Sequence, residues 1–265
     1  MRRSLCLFAL LLSFLILAEF VNAQEVKKDS FVLAAELYSF TYKEPQMRDK
    51  GVFLGILGSY TYRDGLMLSA SVRGAVGEVD YSSPISGEVA NIDDSVFEIR
   101  GLAGADMTFD GGAVLTPYLG LGFRRLYDNS GGKATTTGAM GYDRESTYNY
   151  IPIGAEYSTM LNGNMGIKAA FEYDYFLYGV QRTYLSQVSS YYLDVENRQE
   201  SGWGLRWSAV LTAKFHDSEV EFGPFLRYWE IDDSDWKVCT VDSAFICKEP
   251  ENKTTEFGVT AGARF

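Results

Sequence analysis

After Ala23 the chain of 265 residues holds no apolar run long enough to cross a bilayer as a helix, a task that takes about 20 residues. No later stretch repeats its apolar residues at the spacing of an amphipathic helix either. A passage through a membrane would therefore have to use strands. Histidine is nearly missing: His216 is the only one, so a metal centre is unsupported and histidine-based acid-base chemistry has one residue to draw on. Basic residues are outnumbered 24 to 35, for a formal net charge of -11. That balance excludes nucleic acid, whose phosphates demand basic patches. Cysteine is limited to Cys6, Cys239 and Cys247, and nothing calls for a cofactor. Against these shortages stands an aromatic content of 15%, mostly tyrosine and phenylalanine.

The chain opens "MRRSLCLFALLLSFLILAEFVNAQ". Two arginines, an apolar run over 5–17 and Val21-Asn22-Ala23 form the three parts of a secretory signal peptide over 1–23, cleaved after Ala23. A retained anchor is the alternative, and the apolar run is short for a span. The mature chain would be 24–265. Losing Arg2, Arg3 and Glu19 takes the 24 basic and 35 acidic residues to 22 and 34, and the net charge from -11 to -12. Cys6 leaves with the signal, and Cys239 and Cys247 remain in "VCTVDSAFIC". An even pair in an exported chain predicts a disulfide, which would stiffen one short excursion by about 2–3 kcal/mol on the loop-entropy model.

Alternation of period two recurs ten times, predicting strands over 31–42, 52–63, 66–81, 96–109, 113–128, 144–157, 165–178, 202–215, 220–231 and 254–265. Turn chemistry at "RDG", "FDGG", "LNGN" and "HDSE" marks four tight connections. Longer polar stretches cover 43–51, 82–94, 129–142, 185–200 and 232–253. Four short turns on one rim and five long loops on the other is the layout of a bacterial outer-membrane barrel, with both termini in the periplasm.

The two strand faces differ in kind. One carries Leu33, Leu37, Val52, Leu54, Ile56, Leu119, Leu121, Phe171, Phe257 and their like. The other carries Glu36, Arg73, Glu98, Arg100, Asp106, Arg124, Glu156, Lys168, Glu172, Asp174, Arg206, Lys214, Glu221, Arg227, Glu256 and Arg264. A soluble ligand-binding barrel would alternate in the same way with its apolar face inward. Three features favour the inverted arrangement: the unequal loops, two belts of outward aromatics, and a terminal Phe265. Tyr60, Tyr62, Phe109, Tyr157, Phe215 and Phe265 fall near the short-turn rim, and Tyr127, Tyr173, Tyr175, Trp203 and Tyr228 near the other. The closing "TTEFGVTAGARF" would then pair with 31–42, since lipid tolerates no open sheet edge.

With its signal peptide, ten alternating segments and C-terminal "ARF", the mature chain resembles the small outer-membrane β-barrel proteins of Gram-negative bacteria. The resemblance implies an all-β fold, a ten-stranded antiparallel transmembrane up-and-down barrel, in the cell outer membrane. It also implies contact with outer-membrane lipid and lipopolysaccharide, and a monomer. Phe265 would be part of the signal read by the barrel-assembly machinery. Related ten-strand barrels include surface adhesins and omptin proteases, so the resemblance does not select an activity.

The sixteen inward charges are eight acidic and eight basic, and in a narrow barrel such side chains fill the lumen as an ion-pair network. A water-filled path lined by the same charges is the alternative. Glu172 and Asp174 in "FEYDYF" point the same way and could act as acid and base or as a metal site, or simply serve lumen arginines. Omptins combine paired aspartates with an Asp-x-His arrangement at the extracellular rim; here His216 lies in "KFHDSE", a predicted periplasmic turn, with its aspartate after it. Ser218 nearby offers a hydrolase arrangement, although close neighbours on a tight turn seldom orient as nucleophile and base. Arg144, Glu145 and Ser146 in "GYDREST" read as solvated loop charge. The last loop holds six carboxylates, the cysteine pair, Trp236 and Phe245, but no EF-hand pattern. The expected function is a non-enzymatic surface protein whose loops meet the outer leaflet, an external ligand or a host surface. A narrow pore and a rim-sited hydrolase are the alternatives.

Overall fold

The computed structural model describes residues 28–265; the predicted signal segment lies outside them. Ten long strands follow one another: β1 (Asp29–Glu44), β2 (Met47–Asp64), β3 (Leu66–Ser83), β4 (Gly87–Ala105), β5 (Val114–Asn129), β6 (Arg144–Met160), β7 (Met165–Thr183), β8 (Gly202–Phe215), β9 (Ser218–Ile231) and β10 (Asn252–Arg264). Each pairs antiparallel with its neighbours in sequence, and β10 returns to β1 from Val32↔Arg264 to Lys43↔Lys253. Beyond that ladder, Phe265 N donates to Phe31 O at 2.9 Å and Phe31 N to Phe265 O at 3.3 Å. The sheet is closed and has no free edge for lipid to meet.

Residues of β1 alternate exposed and buried with period two from Phe31 to Tyr42, the direct consequence of Cβ atoms pointing to opposite faces. The outward side chains are the apolar ones: Leu37 is 53% exposed, Ile56 63% and Leu121 67%. Surface of this kind facing water would be strongly unfavourable, so the barrel is inside out relative to a soluble one. The outward apolar band runs through Phe31–Leu37 of β1, Val52–Tyr62 of β2, Leu66–Val76 of β3 and Phe97–Ala103 of β4, and continues around the barrel. Toward the opposite end from the short turns, Lys43, Lys50, Glu78, Asp93 and Arg182 replace it on the outer face. At the band's upper edge Trp203 stacks between Tyr173 and Tyr228, at 6.5 and 5.2 Å. Tyr60, Phe109, Tyr157, Phe215 and Phe265 are exposed at its lower edge.

The strands run to 19 residues in β4 and β7, where about 9–11 suffice to cross a bilayer. The barrel therefore continues well beyond the apolar band on the loop side. This corrects two sequence expectations: 43–51 and 82–94 are not loops but the upper ends of β1–β4, joined through residues 45–46 and 84–86. Above the membrane both faces of a strand meet water or a polar interior, so the outer face there carries Lys and Asp, and the segment reads as a loop. Three long loops remain, over 130–143, 184–201 and 232–251. The second holds a strand Val195–Gln199 paired with β7. The last holds Lys237–Val238 paired with Ile246–Cys247, and brings Cys239 and Cys247 to disulfide distance, Cα atoms 5.8 Å apart. It lies along the second, with Leu193 N donating to Cys239 O and Val241 N to Tyr191 O, each at 3.0 Å.

The lower connections are tight. Gly65 (φ 71°) turns β2 into β3, and His216, at φ 55°, takes the left-handed position between β8 and β9.

Candidate functional site

Five arginines and five carboxylates from eight strands meet across the middle of the lumen. Glu256 of β10 accepts from Arg73 Nη2 at 2.6 Å, Arg124 Nη2 at 2.8 Å and Arg227 Nη1 at 3.2 Å. Glu36 of β1 takes Arg73 Nε at 2.8 Å and Arg227 Nη2 at 2.5 Å. Glu98 of β4 joins this group to the other side, 3.7 Å from Arg73 Nη1 and accepting from Arg206 Nη1 at 2.9 Å, while Arg206 Nε donates to Asp174 at 2.7 Å and lies 3.2 Å from Glu172 Oε1. Arg100 pairs with Glu172. The set is neutral and almost wholly removed from solvent; Arg124 and Glu256 are 0% exposed. Charges so buried persist only when mutually paired. Glu172 and Asp174 are thus bound by arginines.

Directly above lies a layer absent from the sequence expectation. Tyr148, Tyr150, Phe176, Trp229 and Ile231 form one buried cluster, and Tyr38, Phe40 and Phe53 belong to another, which reaches down to Phe225 in the wall of the vestibule below, beside Arg227. The layers interlock: Tyr150 Oη donates to Glu98 at 2.7 Å, and the Arg206 guanidinium stacks 5.4 Å from the Tyr150 ring and 5.7 Å from Trp229. Gly122 makes room for that tyrosine, since a Cβ there would sit 2.1 Å from its ring. Gly122→Ala should cost about 1–3 kcal/mol as overpacking, read as a lower urea midpoint in lipid vesicles.

Below the ion pairs the lumen opens into a vestibule of about 270 Å³, walled by Ser59, Thr61, Ser69 and Ser71. Near its mouth Arg63 bridges Asp106 at 2.5 Å and Glu156 at 2.6 Å, and Glu221 pairs with Lys168 at 2.9 Å and Arg264 at 3.5 Å. Arg63 was hidden from sequence reading by its place in the "RDG" turn signal. Lys214 shares the inward parity but is exposed at the rim, and no ion pair involves it among the described residues. From below upward the lumen is a blind vestibule, an ion-pair floor and an aromatic floor.

No protein-family model and no curated protein matches the chain. Among solved structures, the outer-membrane protease OmpT of Escherichia coli superposes with a TM-score of 0.61 at 9% identity, covering 92% of this chain and 99% of that one. The shared fold is a closed ten-stranded antiparallel β-barrel. The translocator domain of the autotransporter NalP from Neisseria meningitidis (TM-score 0.42, 9% identity, 89% of each chain) is more distant. So is Ail of Yersinia pestis, solved with a heparin analogue (0.34, 10%, 90% of this chain and 99% of that). At these identities the likeness concerns the fold alone, and the structures belong to proteins of different activity.

At the end that carries the long loops the barrel holds a second polar cluster, and here the reading of Arg144, Glu145 and Ser146 as solvated loop charge is overturned, Glu145 and Ser146 being buried. Arg144 lies inside, its side chain 15% exposed. It donates to Glu44 at 2.8 Å, Asp49 at 3.1 Å and Asp128 at 2.7 Å, and stacks 5.4 Å from the Tyr42 ring. Strand β6 begins at Arg144, so its first inward residue points into the barrel top. Glu145, on the outer face, pairs with Arg125 at 2.9 Å, and Ser146 donates inward to Gln181. Asp49, Asp94 and Glu249 lie beyond the apolar band. Burial pushes the Asp49 carboxyl up to about 7, and burial followed by neighbouring carboxylates raises Asp94 and Glu249. His216 is exposed on a short turn beside Phe215, at the far end from this cluster.

Proposed function

We propose that this barrel is a non-enzymatic, monomeric surface protein with a sealed lumen, and that its cap of interlocked loops contacts the outer leaflet or external partners. The observation that carries the reading is the pairing of a closed interior with a cap offering outward aromatics. Trp236 is 57% exposed and Phe245 60%, on a last loop tied to its neighbour through the Cys239–Cys247 hairpin. Restricting such a loop lowers the entropy cost of binding. His216 in its turn has no carboxylate partner at the extracellular rim with which to assemble an omptin-like centre.

Planar-bilayer recording of the mature protein should give no discrete conductance steps. Single-channel steps altered by Arg124→Ala would make the barrel a narrow pore instead. For the cap, replacing 238–248 by a short Gly-Ser link should leave the barrel folded and abolish adherence of expressing bacteria to host-cell monolayers. Unchanged adherence removes this loop from the binding surface.

A further inference from the structure

The carboxyl groups gathered at the top of the barrel outnumber the cation that serves them. Arg144 binds Glu44, Asp49 and Asp128. Asp94 shares with Asp49, Asp128 and Arg144 the wall of a cavity of about 20 Å³, room for a single water. Asp49 is 2% exposed, yet its Oδ1, like Asp94 Oδ1, has no hydrogen-bond partner among the described residues. Glu249 comes down from the last loop and accepts from Tyr42 Oη at 3.1 Å.

The charged and titratable groups around this point can be followed strand by strand. They are Tyr42 and Glu44 on β1, Asp49 on β2, Tyr81 on β3, and Asp94 with Asp93 beside it on β4. Asp128 on β5, Tyr142 before β6, Arg144 and Tyr148 on β6, and Glu249 complete the set. Arg124, beneath Tyr148, is already paired with Glu256. Five carboxylates against the one guanidinium would leave four uncompensated negative charges in a closed space, which favours proton uptake by the buried Asp49, Asp94 and Glu249. A metal ion is a poorer answer, because among the described residues no three carboxylates converge in a way that could hold one.

We propose that this cluster is a proton-binding site that clamps the last loop onto the barrel, so that the extracellular cap loosens as pH rises. Glu249 is the movable member. Its N–H donates to Ser234 Oγ at 2.8 Å and its C=O accepts from Ser234 N at 3.0 Å, tying the loop's two legs together at the barrel mouth. When Glu249 ionises beside Glu44, outward movement is the way to hydrate it. A carboxyl whose affinity for protons is raised in the closed cap stabilises that cap fully below the ordinary carboxylate range near 4. The contribution is lost as pH rises through neutrality toward the raised value. The clamp acts whether or not the loop binds a partner.

Hydrogen exchange of the full barrel in lipid nanodiscs, corrected for intrinsic rates, tests it. Between about pH 6 and about pH 9, protection of 244–251 should fall about a hundredfold in the native protein, about tenfold per pH unit up to a raised value of about 8 and little beyond it. It should stay nearly flat in Glu249→Gln, which mimics the neutral acid. Asp94→Asn should flatten the profile in part and decides the matter if Glu249→Gln fails to fold. Equal pH profiles in all three proteins would overturn the clamp. Recovery of protection at pH 9 on adding calcium would overturn the proton as its ligand.

Discussion

Glu256→Ala is expected to lower the stability of the folded barrel by about 3–5 kcal/mol, the cost of stripping a buried charge of its partner. Three guanidinium groups converge on this carboxylate, from Arg73, Arg124 and Arg227. Arg73 and Arg227 keep Glu36, whereas Arg124, which has no other hydrogen bond within the network, would be left fully buried and unpaired. Urea unfolding in lipid vesicles, followed by loss of the heat-resistant gel band, measures the effect. Glu256→Gln, which keeps the shape, should fall between alanine and the native residue. A drop below about 1 kcal/mol for alanine would mean that water reaches the centre of the barrel and solvates Arg124.

A charge placed on the opposite face should be nearly as damaging, for a different reason. Leu121 of β5 is 67% exposed in the middle of the apolar band, and Leu121→Arg should cost about 2–4 kcal/mol because its guanidinium would enter hydrocarbon. Glu78→Arg, outward-facing above the band, should cost no more than about 1 kcal/mol. Equal effects at the two positions in the same vesicle assay would contradict the placement of the bilayer.

The transmembrane part of this fold was legible because lipid imposes one rule on every strand: apolar outside, anything else inside. Leu33, Leu37, Leu54 and Phe257 could be placed by parity alone, and parity set Glu36, Glu98 and Arg206 opposite them. The rule lapses where the barrel leaves the membrane. Above the band, Lys43, Lys50 and Asp93 face water, strand and loop look alike, and the upper ends of β1–β4 were mistaken for loops. It also says nothing of which inward residues touch. Tyr150 and Trp229 share the inward parity of the charges, but only the register that stacks β6 against the network shows that they roof it. Arg144 has the parity of Tyr148 and Tyr150; its neighbours in "GYDREST" disguised it. In β6 and β7 a bulge between Asn149 and Tyr150 shifts the pairing, so that Gly179 and Gln181 face inward after Phe176, a switch that no alternating pattern announces.

Glu256 also has a meaning in time. It stands on the last strand, in register with Phe40 of the first and Arg227 of the ninth. Until β10 docks, the remaining network has five arginines and four carboxylates, and its surplus positive charge faces a gap in the wall. Sealing the seam and neutralising the interior are therefore one event, and a barrel that stalls one strand short keeps both an open edge and an unbalanced charge.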